Sequence, residues 1–139
     1  MKTVLDAEAM NALLTRGHPA RRQVRRSLEV AQRLRGGAWV ASVTLAELYR
    51  GVARSHALDS LLARMTAGGG LRLRDTDQPF ARLVGSVLHE ARSGSELLAD
   101  AHAVAVAVED GGGVVVTGDP ADLSRLAAPY GTVVVEALK

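Results

Sequence analysis

The sequence predicts an α/β domain built on a mostly parallel β-sheet with helices on both faces. Three observations lead there. Short runs rich in valine and leucine alternate with longer segments whose apolar residues recur every three or four positions. Strands that alternate with helices in this way form parallel sheets covered on both sides. The 139 residues show no internal repeat and no low-complexity linker, so residues 1–139 read as one domain.

Taken in order, residues 2–5 (KTVL) make a short strand that stops at Asp6. AEAMNALL follows as a helix closed by Gly17, with Pro19 beyond it. Positions 20–35 are helical, with Val24, Leu28 and Ala31 on one side and arginines on the other. The pair Gly36-Gly37 breaks the chain, AWVASV (38–43) is the second strand, and a helix runs from about Leu45 to Arg54. Another helix through LDSLLARM ends at the glycine triplet 68–70. LRLR (71–74) is a third strand and PFARLVGSVLHEAR (79–92) a further helix. ELLADAHAVAVAVED reads two ways. It is a buried helix capped by Ser95, or a hairpin turning at the glycines into VVVT. Its length exceeds that of an ordinary strand, which favours the helix. VVVT is then the fourth strand, PADLSRLA a helix with Asp119 as N-cap, and TVVVEAL the last strand.

Composition narrows the function classes. Apolar residues make up 47% and charged residues 23%, values of a folded chain rather than a disordered one. Aromatics are 3%, so the core must come from Ala, Val and Leu. With no cysteine, disulfides and thiolate metal sites are excluded. The first residues lack a signal-peptide pattern, and no apolar run approaches the roughly 18 residues of a membrane span. A cytoplasmic protein is expected.

The positive charge is unevenly distributed: fifteen arginines stand against two lysines, and seven arginines fall between Arg16 and Arg35. Arginine's planar fork suits phosphate oxygens. Arg16, Arg22, Arg25 and, further on, Arg50 are candidate contacts to a nucleic-acid backbone; a solvated helix face explains the same cluster.

Four carboxylates stand out by position. Asp6 ends the first strand, Glu47 follows the second, Asp100 interrupts an apolar segment and Asp119 follows the fourth strand. Ligands of open α/β sheets gather beyond the carboxyl ends of the strands, where strand order reverses. Each acid also has a structural explanation. Thr44 to Glu47 fits a capping box, and Asp6 and Asp119 are each placed to cap a helix. Asp122 would favour the last helix by lying near its positive pole. Asp100 has the weakest alternative, because a carboxylate inside an apolar helix needs a cation or an arginine. Gathered in one cleft, the four would repel and rise in pKa until a hard divalent cation relieved them, and oxygen ligands suit Mg²⁺ or Mn²⁺. A metal-bound water would then attack a phosphodiester.

The stretches VLDAEAMNALL, SVTLAELYRG, LLADAHAVAVA and VVVTGDPADLSRL, in that order, resemble the PIN-domain ribonucleases, and among them the VapC-like toxins of toxin–antitoxin pairs. The resemblance covers essentially the whole chain. It implies a five-stranded parallel sheet in the order 3-2-1-4-5, and it favours the helix over the hairpin at 95–109. It makes Asp6, Glu47, Asp100 and Asp119 the catalytic, metal-binding set and Thr117 a hydroxyl that orders them. It further implies an endoribonuclease using Mg²⁺ or Mn²⁺, products with 5′-phosphate and 3′-hydroxyl ends, a homodimer, and inhibition by a VapB-like antitoxin that inserts a charged side chain near the metal. The chain departs from the pattern at Glu8, where many members carry Ser or Thr; its side chain is expected to turn outward.

Other residues point elsewhere. His102 lies about 200° around a helix from Asp100 and is expected in the core. His18, His56 and His89 lack ligand spacing, Trp39 is expected in the core, and the glycines 111–113 read as a turn. Two rival functions are a catalytically silent PIN-fold module that binds RNA or protein, and a haloacid-dehalogenase-like phosphatase with Asp6 as nucleophile. The phosphatase is opposed by Glu8, where an Asp is required, and by the lack of any internal lysine.

Overall fold

In the computed structural model, which describes residues 1–139, each of the five segments expected as strands contains one. They are β1 (Lys2–Leu5), β2 (Ala38–Ala41), β3 (Arg72–Arg74), β4 (Gly113–Thr117) and β5 (Val133–Ala137). All pair in parallel in the order β3-β2-β1-β4-β5. The helices are α1 (Ala7–Leu14), α2 (Arg21–Gln32), α3 (Ser42–Leu48), α4 (Val52–Ala67), α5 (Gln78–Glu90), α6 (Leu98–Val108) and α7 (Pro120–Ala127). No helix is long and apolar enough to cross a membrane.

Side-chain alternation along the strands divides the core in two. Leu5, Val40 and Val116 pack with α1, α2, α3 and α4 on one face, while Val4, Ala41 and Val115 pack with α5, α6 and α7 on the other. Each fully buried leucine or valine contributes about 1.5–3 kcal/mol. Most of that core is aliphatic, as the composition requires, with Phe80 and Met10 its largest other members.

The ambiguous segment is the helix α6. Ala101 to Ala107 are buried on every side, against β1, β2, β4 and the flanking α5 and α7. A helix enclosed all round carries no polar face, which is why its periodicity looks strand-like. Ser95 does not cap it: Ser95–Leu97 form a 3₁₀ turn, and α6 begins at Leu98. Asp100 therefore lies in the first turn of the helix rather than deep inside it.

The region after β2 also departs from expectation. The strand ends at Ala41, and Ser42-Val43-Thr44 are already helical, so Thr44 is buried within α3 and is not its N-cap. The capping box of Thr44 and Glu47 does not form. Packing overrides the β-propensity of Val43 and Thr44 here, since both face the core from the helix. The two helices expected here are present, but the break between them lies at Tyr49–Gly51 rather than beyond Arg54, and Gly51 takes a φ of 74° that other residues adopt at a cost.

Candidate metal centre

β1 and β4 are adjacent, with Leu5 paired to Val116, so the residues that follow them emerge side by side. Asp6 is buried at this edge and caps α1 by accepting from the Ala9 N–H at 2.8 Å. Its other oxygen accepts from the Gly118 N–H at 3.1 Å, across the gap between the two strands. Thr117 is fully buried. Its hydroxyl accepts from the Asp119 N–H at 2.8 Å and hydrogen-bonds the Asp6 carboxylate. One side chain thus fixes the spacing of the first and last acids.

Burial pushes the Asp6 carboxyl above its ordinary value, against the lowering effect of these hydrogen bonds to Thr117, Ala9 and Gly118. Asp119 caps α7, accepting from the Asp122 N–H at 3.5 Å, and Pro120 occupies the first helical position, where its missing N–H costs nothing. Asp100 enters from α6. Its pKa is raised to about 6, first by burial and then by the carboxylates of Asp6, Asp119, Glu47 and Asp122. Those four carboxylates are a map: acids from three other stretches of the chain all lie within electrostatic reach of Asp100. Glu47 projects exposed from α3 at the margin.

The tightest group is Asp100, Asp119 and Asp122, each with a ligand atom within 4.8 Å of the others. The sequence marks Asp122 only as a helix-end residue. Hydrogen bonding to Asp119, followed by burial and the charge of Asp119, raises its pKa. The signal that could have found it is the spacing of three between Asp119 and Asp122, which places both on one side of a helical turn.

The remaining candidates divide. Glu8 is exposed, as expected, but it is tethered: Oε1 lies 2.9 Å from His18 Nε2 and 3.4 Å from Asn11 Nδ2. Arg50 folds back onto the carbonyls of Ala46 and Tyr49, both at 2.7 Å. Arg22 and Arg25 line a groove on α2, and Arg16 lines a neighbouring depression against α4, with Arg21 bordering both. His102 is a satisfied core residue, with Nδ1 donating to the Leu98 carbonyl at 2.7 Å and Nε2 accepting from Thr76 at 3.1 Å. Trp39 is half-buried rather than enclosed; its ring N–H donates to the Gly36 carbonyl and Lys2 lies over its face.

The chain is similar to known proteins over nearly all of its length. Residues 3–129 match the family model of the PIN domain. No curated protein matches the sequence. Among solved structures, VapBC2 from Rickettsia felis bound to a DNA fragment from their promoter is similar with a TM-score of 0.67 at 19% identity, over 100% of both chains. FitAB bound to the IR36 DNA fragment is similar with a TM-score of 0.66 at 18% identity, over 97% of this chain and 94% of that one. At such identities the likeness is one of fold.

Proposed function

This chain belongs to the PIN-domain family, and we propose that it is a metal-dependent endoribonuclease, the toxin of a VapBC-type toxin–antitoxin pair acting in the cytoplasm. The observation that carries the reading is the convergence of Asp6, Glu47, Asp119 and Asp122 on Asp100. Like charges gathered without an internal cation destabilise a fold, and this molecule puts no lysine or arginine into ion pairing with any of them.

The donor set fits Mg²⁺ or Mn²⁺, since all its members are carboxylate oxygens and three already offer atoms within 4.8 Å of one another. Asp6, Glu47, Asp100 and Asp119 would hold the ion, with Asp122 as a further ligand. When bound, the ion supplies an acidified water for attack on phosphorus and neutralises charge developing on the phosphate oxygens. The chain's own part is to hold the acids in place. Two backbone N–H groups and Thr117 orient Asp6, the turn after β4 orients Asp119, and the start of α6 presents Asp100 beside the helix's positive pole.

The likeness over full chain length to VapBC2 and FitAB supports a small antitoxin as partner, and a homodimer is the assembly we expect. The test is cleavage of an end-labelled single-stranded RNA by the purified protein, with Mg²⁺ or Mn²⁺ and with EDTA. Cleavage should need the metal and should fall at least about 100-fold in Asp6→Asn and in Asp100→Asn, while Asp59→Asn retains it. Cleavage that survives both substitutions sinks the assignment. RNA binding with no cleavage under any condition favours the silent binding module.

A further inference from the structure

The first two turns of α2 run against helix electrostatics. Arg21, Arg22, Arg25 and Arg26 crowd the helix's positive pole, with no acid in the first turn and no side-chain N-cap at Ala20. Arg21 with Arg25, and Arg22 with Arg26, are like-charged pairs at the spacing of four that destabilises a helix. None of the four is in an ion pair; the molecule's ion pairs involve Lys2, His18 and Arg74. Arg21 adds a defect, because its Nε is buried without a hydrogen-bond partner. A donor in that state has given up water and gained nothing in return.

These side chains surround an open groove of about 650 Å³, completed by His18, Pro19 and, as its single acid, Glu29. The groove is joined to the acid cluster by a short relay of side chains. His18 Nδ1 accepts from the Ala20 N–H at 3.1 Å, so in the neutral ring Nε2 carries the proton and donates to Glu8 at 2.9 Å. Glu8 in turn lies against Gly118, next to Asp119: a methyl group on Gly118 would stand 2.5 Å from the Glu8 Cγ.

We propose that this arginine groove at the start of α2 is a phosphate-backbone site for single-stranded RNA, holding nucleotides that flank the bond positioned at the acid cluster. Bound phosphates would supply the missing countercharge at the helix pole. No Phe, Tyr or Trp lines the groove, which fits recognition of the backbone rather than of stacked bases. The RNA assignment rests on the ribonuclease reading; the groove's affinity for a polyanion does not.

The test measures binding without catalysis. A fluorescein-labelled oligouridylate of about 12 nucleotides is titrated with the protein in EDTA across a range of salt. Arg22→Gln/Arg26→Gln should weaken binding about tenfold at low salt and lower the salt slope by about 0.7 for each phosphate no longer neutralised. Arg82→Gln, an exposed change on α5, should leave both quantities unchanged, and Arg25→Lys should bind better than Arg25→Gln. Far-UV circular dichroism and the melting temperature identify folded variants. Equal losses in the groove and Arg82 variants would overturn the proposal by assigning the effect to net charge. So would unchanged oligouridylate affinity alongside lost binding of poly-glutamate, which would mark the groove as a site for an acidic protein segment. Groove-dependent binding by a protein that never cleaves RNA would sink the acid-centre reading and the flanking-nucleotide role with it, leaving only the groove's affinity for a polyanion.

Discussion

At the residue scale, Asp100 shows how a side chain can weaken a fold and still be kept. Its carboxyl is held at about 6 by burial and by the neighbouring carboxylates, well above the ordinary 3.8. Between those two values the folded chain binds more protons than the unfolded one, so stability falls as pH rises through that window. Above about pH 6 the full cost of the charged group is present. In EDTA, Asp100→Asn should therefore be more stable than the parent at pH 7.5 by about 1 kcal/mol, after allowance for solvent screening at the open cleft. That advantage should shrink towards zero by pH 4. Urea denaturation at several pH values checks this. An asparagine variant that is less stable at every pH would show that Asp100 holds the fold together.

At the scale of elements, the site depends on how closely α1 approaches the turn between β4 and α7. Gly118 is there because Glu8 Cβ and Cγ would stand 2.7 and 2.5 Å from any added methyl group. Gly118→Ala should cost about 1–3 kcal/mol as an overpacked contact. It should also weaken the Asp6 hydrogen bond to the Gly118 N–H and so lower cleavage. Glu8→Gly removes both obstructing atoms and, in the first turn of α1, should cost about 1 kcal/mol alone. The double variant should recover most of the lost stability. Thermal melts of the four proteins give the coupling; additive losses would mean the strain lies elsewhere.

At the scale of the whole molecule, two closed aliphatic cores flank a sheet whose carboxyl edge carries the acids. The fold does not need an ion for its hydrophobic burial, so EDTA should leave the far-UV circular dichroism unchanged. An ion that binds only the folded form stabilises it by mass action, about 2.7 kcal/mol at one hundred times its Kd. Titrating Mn²⁺ should raise the melting temperature of the parent and leave that of Asp100→Asn/Asp119→Asn nearly unchanged. An equal rise in both would place the ion somewhere other than the acid cluster.

The alternation of valine-rich runs with amphipathic segments was enough to determine a parallel α/β sheet, because burial on both faces of a strand and on one face of a helix leaves distinct periods in the chain. Asp6 and Asp119 were legible for the same reason: each follows such a run and caps the next helix. Other features depended on contacts between distant segments. The start of α3 at Ser42 follows from Val43 and Thr44 facing the core, where local propensity favours a strand. Asp122 joins the acids only because α7 turns it towards Asp100, and the arginines become a groove only where His18 and Glu8 link α2 to the end of β4. Periodicity records which face a residue buries; it holds no information on which distant side chain will stand opposite.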